Sequence, residues 1–362
     1  MIPYVEIKDK YTLKTITKVE PSECWFELSY QDVGECEVYC VASQSNLQAL
    51  QKGRYLKIPN KRFIWVITAV HYTYSADGVK MISATGKEAK WLLNKRCILT
   101  PKELKGNITT ALYRLVNDNI GTNAGAARKV DKFTVDTNSL LIDISGTQAP
   151  RGNLLEFANN LLKNYNCGSQ VVFEGEKLVY KIFTGAVKTT TVKFSQSLDN
   201  LLSSEYLTDD AELATFVQVV STFEETKTVN GAEEKHKVDY IKEVDANAKG
   251  IDRAEIYLES NLSTKYTDAD GVEKETTPDS ELYKGWQVQE GYAELAKHKT
   301  IEEINGEIDL AHSNYKFDKD FFVGDMVRIQ DEYFNFYVNT IITKYTIKQD
   351  AKGYGEEAQY GE

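Results

Sequence analysis

The chain has 362 residues, 42% hydrophobic and 27% charged, with 6 Pro and 22 Gly. That balance excludes collagen-like, Pro-rich and largely disordered classes and leaves room for roughly two to four packed units. The net charge of −11 is uneven, with 26 basic and 19 acidic residues over 1–200 against 17 and 35 over 201–362, so the basic stripe of a nucleic-acid reader is missing.

The chain begins MIPYVEIKDKYTLK, with charges where a signal peptide carries its apolar stretch, and nowhere does an apolar run reach the ~18 residues of a membrane helix. Neither export by that route nor membrane insertion is expected. The cysteines Cys24, Cys36, Cys40, Cys97 and Cys167 are odd in number and form no CxxC pair, which fits a reducing cytoplasm better than a disulfide framework or a zinc site. Alternation in ECEVYCV predicts a strand with Cys36, Val38 and Cys40 on one buried face.

Phe63 to Tyr74 reads as a long strand, turned by Asp77-Gly78 and answered by VKMISAT. Both of its faces are apolar, with Ile64, Val66, Val70 and Tyr72 on one and Phe63, Trp65 and Ile67 on the other, so it belongs inside a barrel or sandwich. From about 100 the period becomes helical. Ile108, Ala111, Leu112, Leu115, Val116 and Ile120 form one stripe, capped by Asn107 and stopped at Gly121. Leu154, Leu155, Ala158, Leu161, Leu162 and Tyr165 form a second, ended by Gly168, and a hairpin through Glu174-Gly175-Glu176 follows. Strands return as FVQVVSTFEE and AEIYLES, then an exposed loop KYTDADGVEKETTPDS, a helix around Leu282 to His298, and strands to the end.

One pattern occurs twice. GRYLKIPNKRFIWVITAVHYTYSADGVKMISATG begins at Gly53, and GDMVRIQDEYFNFYVNTIITKYTIKQDAKGYGEEAQYG begins at Gly324. In each, Gly opens a short strand with a basic residue before its Ile (Lys57-Ile58, Arg328-Ile329), a long aromatic and β-branched strand follows, then an Asp and Gly turn, then a strand closing on Gly86 or Gly361. The fold class expected is α+β, mainly β, with two related β-barrel-like domains and an inserted α/β domain. The units are 1–100, the insert 101–197, a second β domain 198–316 with helix and exposed loop, and 317–362 completing the second barrel.

The runs GRYLKIP, FIWVITAV and ISATGKEAKWLLNKRCI, then VKFSQSLDNLLSSEY with FVQVVS, then FVGDMVRIQDEY with NTIITKYTI, resemble in order the siphophage tail-tip or baseplate-hub proteins, which are similar to the central hub of contractile phage tails. The resemblance implies a homotrimeric ring joining the tail tube's distal ring to the tip and receptor-binding proteins, assembled in the virion after synthesis in the host cytoplasm. Many members carry a C-terminal peptidase or carbohydrate-binding extension. This chain stops at Glu362, so the expectation is that such a part is absent.

No catalytic residue is expected. His71, His236, His298 and His312 form no HExxH or i, i+4 pair, and ATGKE around Gly86-Lys87 lacks the Gly and Ser/Thr of a phosphate loop. Asp268, Asp270, Glu273 and Glu275 read as a solvated turn, because Gly271 is misplaced for a calcium loop. No metal or cofactor is expected. DNA is expected only in passage, through a channel lined by carboxylates such as Glu224, Glu225, Asp239 and Glu243, which a polyanion slides past rather than binds; the alternative is that they face solvent on a rim. The rival function is an envelope-degrading or carbohydrate-binding tip acting through 101–197, recognisable by a cleft of converging acids or exposed aromatics.

Overall fold

A computed structural model describes residues 1–361 apart from 75–77, 79, 230, 231, 300, 312, 334 and 335. Asp77 of the expected turn, and His312, fall outside the described residues. Strands dominate, and thirteen of them join one network of pairings.

The network consists of two modules of the same design. In the first, the order is Glu23–Ser29, Glu35–Val41, Lys80–Glu88, Trp65–Tyr74, Tyr55–Lys57, then Val5–Lys8 and Thr15–Val19. In the second it is Leu201–Asp209, Ile301–Asp309, Gly353–Tyr360, Phe336–Asp350, Met326–Asp331, then Lys193–Ser195. The match extends to single bonds. Gly53 N–H donates to Ile67 C=O and Ile67 N–H to Arg54 C=O, both at 2.8 Å; Gly324 N–H donates to Ile342 C=O at 2.6 Å and Ile342 N–H to Asp325 C=O at 3.0 Å. Both glycines have the left-handed backbone that favours Gly, φ +86° and +91°. Each long strand then bulges one residue further on, at Thr68 and Thr343. In this register Gly86 corresponds to Tyr360, one residue before the Gly361 that the sequence pattern pairs with it.

The modules join edge to edge. The second half of Phe336–Asp350 pairs antiparallel with Glu23–Ser29, from Lys344 opposite Ser29 to Gln349 opposite Cys24. One hydrophobic core therefore runs from Ile2 to Tyr360 across both modules, with Phe317 and Tyr345 stacked at a centroid distance of 3.6 Å inside it. The described pairings form an open path that closes neither module into a barrel.

Trp65–Tyr74 separates two cores, as a strand apolar on both faces should. Phe63, Trp65 and Ile67 enter the shared core, while Ile64 and Val66 enter a second core with the middle unit. Val70 corrects the sequence reading: the bulge at Thr68 resets the alternation, so it packs against the shared core instead of following Ile64 and Val66, and Tyr72 is exposed. Cys36, Val38 and Cys40 are buried together, and among the five free cysteines Cys97 is exposed.

Four α-helices are described: α1 Gln44–Ala49, α2 Ile108–Asn119, α3 Leu154–Asn164 and α4 Glu281–Leu295. Asn107 caps α2, its side-chain oxygen accepting from Thr109 and Thr110 N–H, and Asn153 caps α3 in the same way. Their apolar stripes fill the second core. Gly168 does not end α3. Asn166 takes the left-handed position at φ +50°, and Gly168 lies in strand Cys167–Glu174, where a Cβ would sit 2.3 Å from the Tyr30 ring. The segment expected as a loop holds the hairpin Lys265–Thr267 and Glu273–Glu275, paired to Lys102–Asn107 of the middle unit, so its polar composition marks an exposed hairpin.

Candidate functional site

The four candidate carboxylates fall on one long hairpin, Phe216–Val229 with Ala232–Asp245, beside the parallel strand Glu255–Glu259. Alternation divides it into two faces. Val217, Val219 and Val244 turn to α4, which comes close because Gly291 has no side chain; a Cβ there would lie 2.6 Å from Val244. Gln287 of α4 pins the same face by donating to Ser221 Oγ at 3.1 Å and to Tyr240 C=O at 2.9 Å.

Glu224, Asp239 and Glu243 lie on the opposite, solvent face. Asp239 accepts from Thr222 Oγ1 at 2.6 Å, Glu243 accepts from Gln218 Nε2 at 3.4 Å, and Glu224 meets Lys235 at 3.5 Å. Glu225 sits on the α4 face, where it accepts from the Tyr240 hydroxyl, a contact that pushes the tyrosine pKa up. The structure thus brings three candidates together and separates the fourth. It also adds three that sequence reasoning missed. Register places Asp245, Glu255 and Glu259 on the solvent face, and the alternation of EIYLE was the available signal for the last two. Arg253 bridges Asp245 at 2.8 Å and also holds Glu255, keeping the Asp245 carboxyl below its usual range. Arg253 offsets one charge at the base and Lys235 and Lys237 offset others toward the tip, so the face is acidic chiefly over its middle.

Elsewhere the titratable groups are dispersed. Among the described residues no three His, Cys, Asp or Glu side chains are placed to share a metal ion. Asp268 serves its own turn: it accepts from Asp270 and Val272 N–H and from Lys274 at 2.8 Å, bonds that lower its pKa to about 2. His71 lies on an exposed strand, His236 beside Glu234, and His298 beside Glu294. A cleft of about 730 Å³ separates α3 from α4. Of the glutamates that line it, Glu290 accepts from Ser260 Oγ at 2.6 Å and Glu294 pairs with Lys297 at 2.7 Å, while Glu156 and Glu259 also line it; burial raises the Glu290 pKa. No described helix is long and apolar enough to cross a membrane.

A sequence profile described as Siphovirus ReqiPepy6 Gp37-like protein matches residues 9–362. No curated protein sequence matches significantly. Among solved structures, the 43 kDa tail protein of prophage MuSo2 from Shewanella oneidensis is similar with a TM-score of 0.57 at 12% identity, covering 99% of this chain and 97% of its own. A tail protein from Neisseria meningitidis MC58 is similar at TM-score 0.54 and 11% identity, covering 99% and 96%. Prophage tail protein gp18 from Listeria monocytogenes EGD-e is similar at TM-score 0.50 and 12% identity, covering 99% and 94%. At these identities the likeness is one of fold.

Proposed function

The chain belongs to the family of Siphovirus ReqiPepy6 Gp37-like proteins, and from that membership we propose that it is a structural tail protein of a phage or prophage, working as the baseplate hub at the tail tip. Three copies form a ring that joins the tail tube's distal ring to the tip proteins and surrounds the DNA channel. The observation that carries this reading is the repeated module: the same strand order, glycine conformation and bulge occur in both halves of one chain. Two similar modules per subunit present six similar surfaces when three subunits close a ring, which matches a three-fold hub to a six-fold tube. The modules are the two barrel-like domains of this reading, built from 1–100 and from 198–362 around the insert 101–197, whose strand Lys193–Ser195 is added to the second.

The role is scaffolding rather than catalysis. Two of the cleft carboxylates, Glu290 and Glu294, are committed to neighbouring side chains, and the fold resembles tail proteins over nearly its whole length. The acidic face bearing Glu224, Asp239 and Glu243 lines the channel, where like charge keeps DNA moving. Mass photometry of the purified 41.0 kDa chain should show a species of roughly 120 kDa. A monomer at every protein and salt concentration tried would overturn the ring.

A further inference from the structure

Among the described residues two strand edges are left bare, and they are complementary. In the second module, the outer side of Phe336–Asp350 is covered twice: its first half by Met326–Asp331, its second half by Glu23–Ser29 of the first module. In the first module, Tyr55–Lys57 covers only the start of Trp65–Tyr74, pairing with Trp65 and Val66. From Ala69 to Tyr74 the same side of the strand has no described pairing, and Tyr72 and Tyr74 are exposed. The strand equivalent to Glu23–Ser29 is Leu201–Asp209, which ends the network with one described neighbour and exposes Leu202, Tyr206 and Leu207. A long bare edge rich in apolar side chains invites a further strand.

We propose that Ala69–Tyr74 of one copy pairs antiparallel with Leu201–Asp209 of a second copy, repeating between subunits the junction that Phe336–Asp350 and Glu23–Ser29 make within one. The proposal deepens the ring reading and rests on it. The register follows from the observed pairings. Ile67 corresponds to Ile342 through their shared bonds and bulge, so Ala69 corresponds to Lys344 and His71 to Thr346. Cys36 lies opposite Phe26 and Gly86, and Gly306 lies opposite Ser204 and Tyr360, so Phe26 corresponds to Ser204 and Glu27 to Glu205. The observed pair Thr346 and Glu27 thus becomes His71 and Glu205, and Ile347 and Phe26 become Tyr72 and Ser204.

Burial supports the alignment. Tyr345 and Ile347 are buried against Leu28 and Phe26 in the existing junction, and their counterparts Val70 and Tyr72 would meet Tyr206 and Ser204 on the same face. Main-chain pairing supplies affinity, while the aromatic and aliphatic side chains around it fix the register. The contact is head to tail, so each copy offers one edge and receives the other, and the chain assembles without a second kind of interface.

The test uses the full chain with Cys97→Ser, which removes the exposed thiol, and either His71→Cys, Glu205→Cys or both. The adjacent pair Val70→Cys with Tyr206→Cys is made in parallel, because directly opposed positions alternate between wide and narrow Cα spacings and one of the two suits a disulfide. Under mild oxidation the double variants should give cross-linked species of two and three chains that disappear on reduction. Mixed single variants should stop at two chains, and each single variant alone should give none. Assembled protein that cross-links at neither pair would overturn this strand pairing and leave the ring intact. Failure to assemble or cross-link at any concentration would overturn both.

Discussion

Lys90 is fully buried, and its Nζ donates to the carbonyls of Ser29 at 2.8 Å and Ser169 at 3.0 Å with Glu88 beside it at 3.7 Å. Glu88 in turn accepts from Gly34 N–H at 3.2 Å. Burial drives the carboxyl pKa up and the ammonium pKa down, so each charge depends on the other and on these bonds. The pair ties the first module to the middle unit, since Ser29 and Ser169 belong to different units. Lys90→Ala strands a buried carboxylate and should cost about 3–5 kcal/mol in urea unfolding. Glu88→Leu combined with Lys90→Met should recover much of that loss; a double variant less stable than the single one would refute the account. The sequence does not announce this pair, because nothing within KEAKW marks its lysine as buried until two carbonyls from distant segments are placed around it.

Among elements, the two glycine openings form a natural comparison. Gly53 and Gly324 share a position in the repeat and a positive φ, yet only Gly324 is enclosed: a Cβ there would lie 2.3 Å from the Tyr30 ring, whereas at Gly53 the nearest side-chain atom is 3.7 Å away. Gly53→Ala should therefore cost only backbone strain, about 1 kcal/mol. Gly324→Ala adds a clash with a packed ring and should cost about 1–3 kcal/mol more, read from the same denaturant midpoints. Equal losses would mean that Tyr30 moves freely. Local pattern made the Asn107 cap and the two-faced strand legible, because each is written within about a dozen residues, and the repeat legible because each of its copies is one unbroken segment. The face of Val70 was not, since a bulge is one residue of register that alternation alone does not mark.

For the whole molecule, the acidic half of the sequence becomes a surface only after folding. Hairpin register sorts Glu224, Asp239 and Glu243 from Glu225 and gathers Asp245, Glu255 and Glu259 beside them. Composition foretold the sign of this surface, and the pairing of two separate segments decided its members. Asp239→Lys with Glu243→Lys sits on the solvent face, so ring assembly should survive by mass photometry. DNA ejection from virions carrying the variant should slow and become more salt-sensitive, because added lysines hold phosphates by releasing counterions. Unchanged ejection kinetics would place this face away from the channel. The junction of the modules was illegible for a different reason: strands separated by most of the chain leave no local trace of which edge meets which.

That junction also governs how the protein is made. Glu23–Ser29 is translated long before its partner Lys344 to Gln349, and Ile2 N–H waits for the Gln349 side chain that it meets at 2.6 Å. Between those two events the first module carries an unzipped edge, open to pairing with neighbouring nascent chains on the same message. Until Phe336–Asp350 closes on it, that edge stays open and the core shared by both modules is unfinished.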